Sequence, residues 1–355
     1  MKKVDPTIWQ DKPLYVGIDM HRKRWHISIR SADGQVLFSQ RIEGRWPVLK
    51  HRLEKYPGAQ FMAVYEAGYF GFWLYDELTA YGVTTCVTPP SLIPSASGNK
   101  VKTDRLDSDR LAQLLQAGLL TSVHVPTEEE RAHRQVVRRR RQFIQDRIRV
   151  KNRIKAELRL YGLELSGETK GSWTQRLLSQ LRAVRFADAF HQASFEALLS
   201  HHDFLSRQID HLAQQLKILA ESEIYQERVE ILTSIPGLGW LSAMEILLEL
   251  QDVARFQRAE QLAAYVGLTP GQHSSGEHVR LGRITRQGKS IVRTLLVLAS
   301  WRLIDKDGAM REKYERIKAR AGGKRAIVAI ARTLLVRLRR LLLNREPYAL
   351  GLVSG

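Results

Sequence analysis

The segment Tyr15-Val16-Gly17-Ile18-Asp19 constrains the fold most, because it places a carboxylate at the end of an apolar strand pattern. Residues 25–29 and the turn Ala32-Asp33-Gly34-Gln35 follow it and predict a β-hairpin whose first strand carries Asp19. Burying an unpaired carboxylate is costly, so such a residue usually pairs, protonates or binds a metal. We therefore expect partners for Asp19 elsewhere in the chain.

A second strand pattern also ends on an acid. Residues 60–66 are mostly apolar and end on Glu66, and residues 83–88 predict a further strand that Pro89 terminates. Between these strands the apolar residues are spaced as in a helix, so residues 1–125 are predicted to form an α/β domain. Parallel neighbouring strands present their carboxyl ends on one edge of a sheet, where such sheets place their sites. We expect Asp19 and Glu66 on that edge.

Two further acids begin a predicted helix. Asp104 and Asp107 are three residues apart, so they face the same side if both lie in its first turn. A structural interpretation is an N-cap with a favourable first-turn acid, and taken alone it is the better one. The coincidence with Asp19 and Glu66 favours a divalent-cation site, because such cations need oxygen ligands from several elements.

Charge indicates the kind of partner. The chain has 56 Lys and Arg against 37 Asp and Glu, a formal net charge of +19. A polyanion is the natural partner, since each neutralised phosphate releases counterions. A solvated charged surface is the alternative. The runs at Arg138, Arg139, Arg140 and Arg141 and at residues 337–340 favour nucleic acid.

Cysteine content and hydropathy restrict the compartment. The single cysteine, Cys86, excludes an internal disulfide framework and a cysteine-based zinc site. No apolar run approaches the roughly 20 residues that span a membrane, and residues 1–6 lack a signal-peptide core. We expect a cytoplasmic protein without membrane contact.

The middle of the chain predicts a helical arm. Residues 126–161 form a charged helical pattern with a thin apolar stripe, about 50 Å long as a helix. A second helical pattern, residues 194–219, could fold back on it as a coiled coil. Residues 163–190 give a weaker pattern and are interpreted as the connecting tip.

The last part opens with an apolar helix end, the turn Pro236-Gly237-Leu238-Gly239 and a second helix start. This pattern is typical of a helix-hairpin-helix, in which Gly237 and Gly239 would let backbone amides hold a phosphate. A plain helical hairpin without a ligand is the alternative. The charge of the whole chain favours the DNA-contacting form.

A polar loop is expected over residues 271–278, and it contains Ser274 and Ser275. A serine beside cations could attack a phosphodiester while the cations stabilise the developing charge. From composition alone, ordinary turn chemistry is the better interpretation. The cations near this serine are Arg280, Arg283, Arg286 and Lys289.

Helices are predicted over residues 290–304 and 324–343.

Six motifs follow one another along the chain: Gly17-Ile18-Asp19, Tyr65-Glu66-Ala67-Gly68, Lys102-Thr103-Asp104-x-x-Asp107, Ile235-Pro236-Gly237-Leu238-Gly239, Gly267-Leu268-Thr269-Pro270 and Ser275-Gly276. In this order and spacing they resemble the DEDD transposases of bacterial insertion sequences, the insertion-sequence 110 family and its 1111 subgroup. The resemblance extends from about residue 13 to 343.

The resemblance implies α/β plus all-α architecture. It implies a RuvC-like domain of ribonuclease H fold over residues 1–125, an arm over 126–225, a helical transposase domain over 226–345 and a tail over 346–355. It implies an Mg²⁺-binding acidic quartet and a nucleophilic serine, which the family pattern assigns to Ser275. It further implies donor and target DNA, a non-coding bridge RNA as guide, and a homo-oligomer, a dimer that assembles to a tetramer. The quartet is Asp19, Glu66, Asp104 and Asp107.

Three other functions fit part of the sequence. A RuvC-like structure-specific endonuclease would keep the acids and hydrolyse DNA without the serine. A sugar kinase or ATPase of related fold is disfavoured, because the turn after Asp19 lacks a glycine. A non-catalytic nucleic-acid-binding scaffold would bind equally well without magnesium. His21, His273 and His278 are interpreted as solvated surface residues.

Overall fold

The computed structural model describes residues 6–94, 104–163, 173–275, 278–285 and 287–351. By its internal contacts the chain divides into two compact units, Met1–Val125 and Pro126–Gly355.

The first unit is a five-stranded sheet in the order β3-β2-β1-β4-β5 with helices. β1, β2 and β3 are antiparallel neighbours, whereas β4 runs parallel to β1 and β5 runs parallel to β4. The expectation of a mixed α/β region is confirmed. The elements are β1 (Pro13–Met20), β2 (Arg24–Ser31), β3 (Val36–Glu43), α1 (Trp46–Leu53), β4 (Gln60–Glu66), α2 (Trp73–Ala80), β5 (Thr84–Thr88) and α3 (Asp104–Gln116).

The centre of the sheet is apolar. Val16 and Ile18 of β1 and Ile27 and Ile29 of β2 are fully buried, and leucines of α1 and α2 pack in the same cluster. Gly34 has a φ of 88° in the connection between β2 and β3, a conformation that favours glycine. Burial of these branched side chains therefore holds the strand that carries Asp19 at the middle of the sheet.

The second unit begins with two long helices, α4 (Glu128–Leu160) and α6 (Ala189–Ala220), with α5 (Gln175–Ala183) between them. α4 has 33 residues, about 50 Å, and begins with a capping box between Thr127 and Glu130. Its C-terminal half packs against the N-terminal half of α6, and Val137 near its start shares a cluster with Leu216, so the helices are antiparallel. The coiled coil itself stays a prediction. The weak pattern over 163–190 contains α5, and residues 164–172 lie outside the described part.

The rest of the second unit is a helical core with one strand pair. The predicted loop at 271–278 is wrong in part, because most of it forms a two-stranded antiparallel ladder. The alternation of Val279, Arg280 and Leu281 was the strand signal that turn chemistry masked. A helix at 308–321 was not anticipated. The elements are α7 (Gln226–Thr233), α8 (Trp240–Leu250), α9 (Ala259–Val266), β6 (Pro270–Ser275), β7 (His278–Ile284), α10 (Ser290–Lys306), α11 (Gly308–Ala321) and α12 (Gly323–Asn344).

Among the residues described above, no helix has the length and apolar character needed to cross a membrane.

Candidate active site

Asp19 and Glu66 lie side by side at the carboxyl ends of neighbouring parallel strands. Ile18 of β1 is in register with Tyr65 of β4, and the two acids are the next residues along these strands. Glu66 is itself in register with Thr88 of β5. We call this side of the sheet the carboxyl edge. It has the position at which open α/β sheets place their sites.

Helix α3 packs directly on β1 at Gly17. A β-carbon built on Gly17 would lie 1.9 Å from the carbonyl oxygen of Ser108 and 2.8 Å from the amide nitrogen of Ala112. Only a residue without a side chain allows this approach. Gly17, two residues before Asp19, is therefore the point of β1 against which α3 packs.

The contacts of α3 with β2 fix its direction. Ser108 Oγ lies 2.7 Å from Nδ1 of His26, which is in register with Asp19. One residue further along, Asp109 accepts hydrogen bonds from Ser28 at 3.0 Å and from Arg30 at 2.7 Å. At the other end of the helix, Gln116 Nε2 donates to the carbonyl oxygen of Ala32 at 2.7 Å. α3 thus runs away from the carboxyl edge, and its first turn lies at that edge.

The predicted quartet is brought together at the level of the backbone. Asp19 and Glu66 end adjacent strands, while Asp104 and Asp107 lie in the first turn of α3. The Asp107 side chain is partly exposed, and that of Asp104 lies outside the described part. Among the described side chains, no group of three His, Cys, Asp or Glu residues is close enough to hold a metal ion.

A basic pocket beside Asp19 was missed by the sequence interpretation. His21 Nε2 lies 3.1 Å from Asp19 Oδ2, so this histidine contacts the acid. It lines a cavity of about 120 Å³ together with Arg24, Trp25, His26 and Arg41. His26 is in register with Asp19 and with Arg41 on successive strands, a spacing that could have revealed the cluster once the hairpin was assumed.

Ser275 is the last residue of β6, and its backbone is in register with His278 of β7. We call β6 and β7 the serine hairpin. The side chains of Ser274, Ser275, Arg280 and Arg283, and all of Arg286, lie outside the described part. The serine is therefore placed at the end of a strand pair, at the level of the backbone only.

Backbone contacts close the base of the serine hairpin onto the end of α9. The Lys289 amide donates to the Tyr265 carbonyl at 3.2 Å, and Thr285 donates to Thr269 at 2.9 Å. Gly267 and Gly288 have φ of 77° and 89°. A β-carbon on either glycine would lie 2.0 Å from a carbonyl oxygen of the other segment. This contact explains a glycine in the Gly267-Leu268-Thr269-Pro270 motif.

Much of the predicted basic surface has intramolecular partners. Arg138 donates from Nε and Nη2 to the Glu249 carboxylate at 2.8 and 3.0 Å, and Lys289 Nζ lies 3.0 Å from the same carboxylate. Glu245, one turn earlier on α8, lies 3.5 Å from a guanidinium nitrogen of Arg140 and 3.6 Å from one of Arg141. Arg139 is exposed. A role of these residues in binding nucleic acid stays a prediction.

The two glutamates differ electrostatically. Burial raises the pKa of Glu245, and the charges of Arg141 and Arg140 do not fully offset this. Burial would also raise the pKa of Glu249, but the hydrogen bond from Arg138 and the charge of Lys289 outweigh it and hold the pKa below its ordinary value. The ionised form of Glu249 is therefore the one that its surroundings stabilise.

The two glycines in the turn between α7 and α8 have different surroundings. Gly237 has a φ of 92°, and a β-carbon on it would lie 2.9 Å from the carbonyl oxygen of Ala299 on α10. Packing therefore accounts for Gly237. Gly239 is the N-cap of α8 without a side-chain cap, and no atom lies within 4 Å of its would-be β-carbon. Of the two predicted phosphate-contacting glycines, Gly239 has open space beside it.

Comparison with known proteins gives the family of the chain. A model for DEDD transposases of the IS110 type matches residues 16–162, and a model described as the transposase IS116/IS110/IS902 family matches residues 229–315. A putative transposase, y4qE, of Sinorhizobium fredii is 30% identical over 339 residues, which cover 94% of this chain and 83% of the relative.

Two transposases named for their insertion sequences are also similar. That of IS1533 from Leptospira borgpetersenii is 28% identical over 69% of this chain and 72% of its own length. That of IS1111A from Coxiella burnetii is 27% identical over 78% of this chain and 76% of its own length. The protein is accordingly a DNA transposase of an insertion sequence. It belongs to the IS116/IS110/IS902 family.

Proposed function

We propose that this transposase cuts and rejoins DNA with an acidic quartet and a nucleophilic serine. The observation that carries the proposal is the close packing of α3 against Gly17, which directs the first turn of α3 to the carboxyl edge. Asp104 and Asp107 thereby share one edge with Asp19 and Glu66. A further support is the strand order, since an antiparallel three-stranded meander extended by two parallel strands is the arrangement of the ribonuclease H fold.

The quartet suits Mg²⁺ by its chemistry. Carboxylate oxygens from separate elements are the hard ligands that this ion takes, and Asp19 is already an acceptor at the edge, facing His21. When bound, the ion would polarise the scissile phosphate and stabilise the departing oxygen. Arg24 and Arg41 in the neighbouring pocket would contact phosphate oxygens and orient the strand.

Ser275 would supply the nucleophile. Its hydroxyl oxygen would lose its proton and form a bond to phosphorus, while one DNA ester oxygen leaves and takes up a proton to become a free hydroxyl. The bond energy is thereby kept in a phosphoserine ester. Attack by a hydroxyl of a new DNA end would then release the serine. No nucleotide cofactor is needed for this rejoining.

The surface beside the serine hairpin favours nucleic acid. A cavity of about 660 Å³ lies between the hairpin and α12 and is lined by Gly282, Ile284, Lys324, Arg325 and Arg332, among others. None of these three cations forms an ion pair with another described residue. Phosphates of a DNA strand would pair with these cations.

The remaining parts of the proposal follow from the family resemblance and the charge. A non-coding bridge RNA would pair with donor and target DNA, and the net charge of +19 suits holding a folded RNA by its backbone. The arm would assemble protomers into a dimer and then a tetramer, acting in the bacterial cytoplasm on nucleoid DNA. The quartet of one subunit would act with the serine of another.

The test is adduct formation. Purified protein is incubated with the non-coding RNA that flanks its element, labelled donor and target DNA and Mg²⁺, and denaturing gels are examined for a protein–DNA adduct. We expect the adduct with wild type and with Ser274→Ala, and its loss with Ser275→Ala and with Asp104→Ala. DNA cleavage without an adduct, unchanged in Ser275→Ala, would replace this proposal with the hydrolytic endonuclease. DNA binding that is indifferent to Mg²⁺ and to Asp19→Ala, without cleavage, would indicate a scaffold.

A further inference from the structure

Glu249 is a buried carboxylate that two separate elements contact. It lies in α8 and is 4% exposed. Arg138 of α4 binds it through two nitrogens, at 2.8 and 3.0 Å, and Lys289 binds it at 3.0 Å. Lys289 is the residue just before α10 and lies five residues after the end of β7. One carboxylate therefore joins the arm helix to the segment that ends the hairpin.

Glu245 provides an internal comparison. It is buried one turn earlier on α8 and is paired with Arg140 and Arg141. Its cationic partners in the described part of the chain are thus both on α4. Both glutamates pair with arginines of the arm helix, whereas Glu249 also pairs with Lys289 of the segment that follows the hairpin.

The geometry of the hairpin amplifies movement at its base. β6 has six residues, about 17 to 20 Å in an extended strand, and Ser275 is at its far end. A tilt of about 5° at the base would move that end by about 1.5 Å over this length. Misplacement by about 1 Å can lower the rate of a chemical step about 100-fold. A contact that holds the base of the hairpin would therefore affect where the serine lies.

We propose that Glu249 is a positioning residue. By holding Arg138 and Lys289 together, it fixes the base of the serine hairpin against the arm helix and sets the location of Ser275. The proposal rests on the function proposed above, because it takes Ser275 as the nucleophile. It also gives the arginine run of α4 a second role, since Arg138 is the arm's end of this bridge.

The experiment compares Glu249→Gln and Lys289→Gln with the matched control Glu245→Gln in the full-length chain. One readout is hydrogen exchange of the backbone amides in residues 270–284, measured without DNA. The other is the single-turnover rate of adduct formation at saturating DNA, with the DNA dissociation constant measured alongside. We expect Glu249→Gln and Lys289→Gln to raise exchange at least about 10-fold and Glu249→Gln to lower the rate about 100-fold at unchanged DNA affinity. Glu245→Gln should leave both near wild type.

Other outcomes overturn the proposal. Unchanged exchange in Glu249→Gln would show that the bridge does not hold the hairpin, and a wild-type rate despite increased exchange would show that it does not position the serine. An equal effect of Glu245→Gln would indicate general loosening of α8 from α4. Lys289→Gln removes the contact of Glu249 with Lys289 and leaves the pair with Arg138. If Glu249→Gln unfolds, the exchange measured for Lys289→Gln decides whether the bridge holds the hairpin. If wild type forms no adduct, the proposed function fails, and exchange alone decides whether Glu249 holds the hairpin.

Discussion

The carbonyl oxygen of Ser108 lies 1.9 Å from the position that a β-carbon on Gly17 would occupy. Helix α3 and strand β1 are therefore in contact through their backbones. The same contact directs the first turn of α3, with Asp104 and Asp107, to the edge at which Asp19 and Glu66 end their strands. The position of the acids thus depends on Gly17, which has no side chain.

Replacement of Gly17 by alanine is expected to displace α3. We expect the free energy of unfolding to fall by about 1 to 3 kcal/mol, as for overpacked cores, and adduct formation to be lost. Urea unfolding checks the first effect. Gly68→Ala is the control in the same unit, because the nearest atom to its would-be β-carbon is 4.0 Å away. Equal stability of Gly17→Ala and wild type would contradict the close contact.

Glu249 and Glu245 are expected to respond oppositely to pH. The pKa of Glu249 is held below its ordinary 4.5, so its stabilisation is present above that pH and is lost as pH falls through the lowered value. At pH 7, Glu249→Gln should cost about 2 to 3 kcal/mol, less than a fully buried pair because the Arg138 side chain is 39% exposed. The deficit should shrink below about pH 4 in urea titrations.

For Glu245 the sign is reversed. Its pKa is raised mainly by burial, so the folded state favours the protonated form, and ionisation at neutral pH opposes folding. Glu245→Gln should therefore cost much less than Glu249→Gln at pH 7 or be stabilising. A larger loss in Glu245→Gln than in Glu249→Gln would contradict this assignment.

Arg139 and Arg138 are adjacent but are expected to have separable effects. Arg139 is exposed, so Arg139→Ala should leave stability within about 0.5 kcal/mol of wild type. If Arg139 contacts one phosphate, the slope of log affinity against log salt should decrease by about 0.9 for duplex DNA. Arg138→Ala should instead destabilise the fold, because it leaves buried Glu249 with one cation fewer. Binding titrations at several salt concentrations and urea unfolding distinguish the two.

The contact between Tyr348 and Asp307 is expected to hold the C-terminal segment. The Tyr348 hydroxyl donates to the fully buried Asp307 carboxylate and accepts from Arg337 at 2.6 Å. Burial and the Asp307 hydrogen bond raise the pKa of Tyr348 to about 12. Tyr348→Phe should lower the free energy of unfolding by about 1 to 3 kcal/mol, since a buried carboxylate loses a donor. Wild-type stability of that variant in urea would disprove the contact.

The sequence predicted β1, β2, β4, β5 and the start of α3 in the first unit, because strand and helix periodicity are local. It predicted the edge shared by Asp19 and Glu66, since parallel strands determine which ends are adjacent. The pocket of His21, Arg24 and Arg41 was missed, because only the pairing of β2 with β3 brings Arg41 to the turn that carries His21 and Arg24.

In the second unit, local patterns were misleading where long-range contacts dominate. Ser-Ser-Gly is typical of a loop, but ladder hydrogen bonds make residues 270–275 and 278–284 strands. The arginines at 138–141 were interpreted as a run without acids. The acids lie more than 100 residues later on α8 and are buried against them.

The sequence by itself determined the mixed strand-and-helix unit, the long charged helix, the excess of positive charge and the family. These properties depend on periodicity, composition and motif order, which a linear chain carries in full. Tertiary structure alone decided which cations pair with buried carboxylates and why Gly17 and Gly267 are glycines. It alone also decided that Glu249 links Lys289, after the hairpin, to the arm helix. Each of those depends on groups that are distant in sequence approaching within a few ångströms, where close contact and burial set the energy.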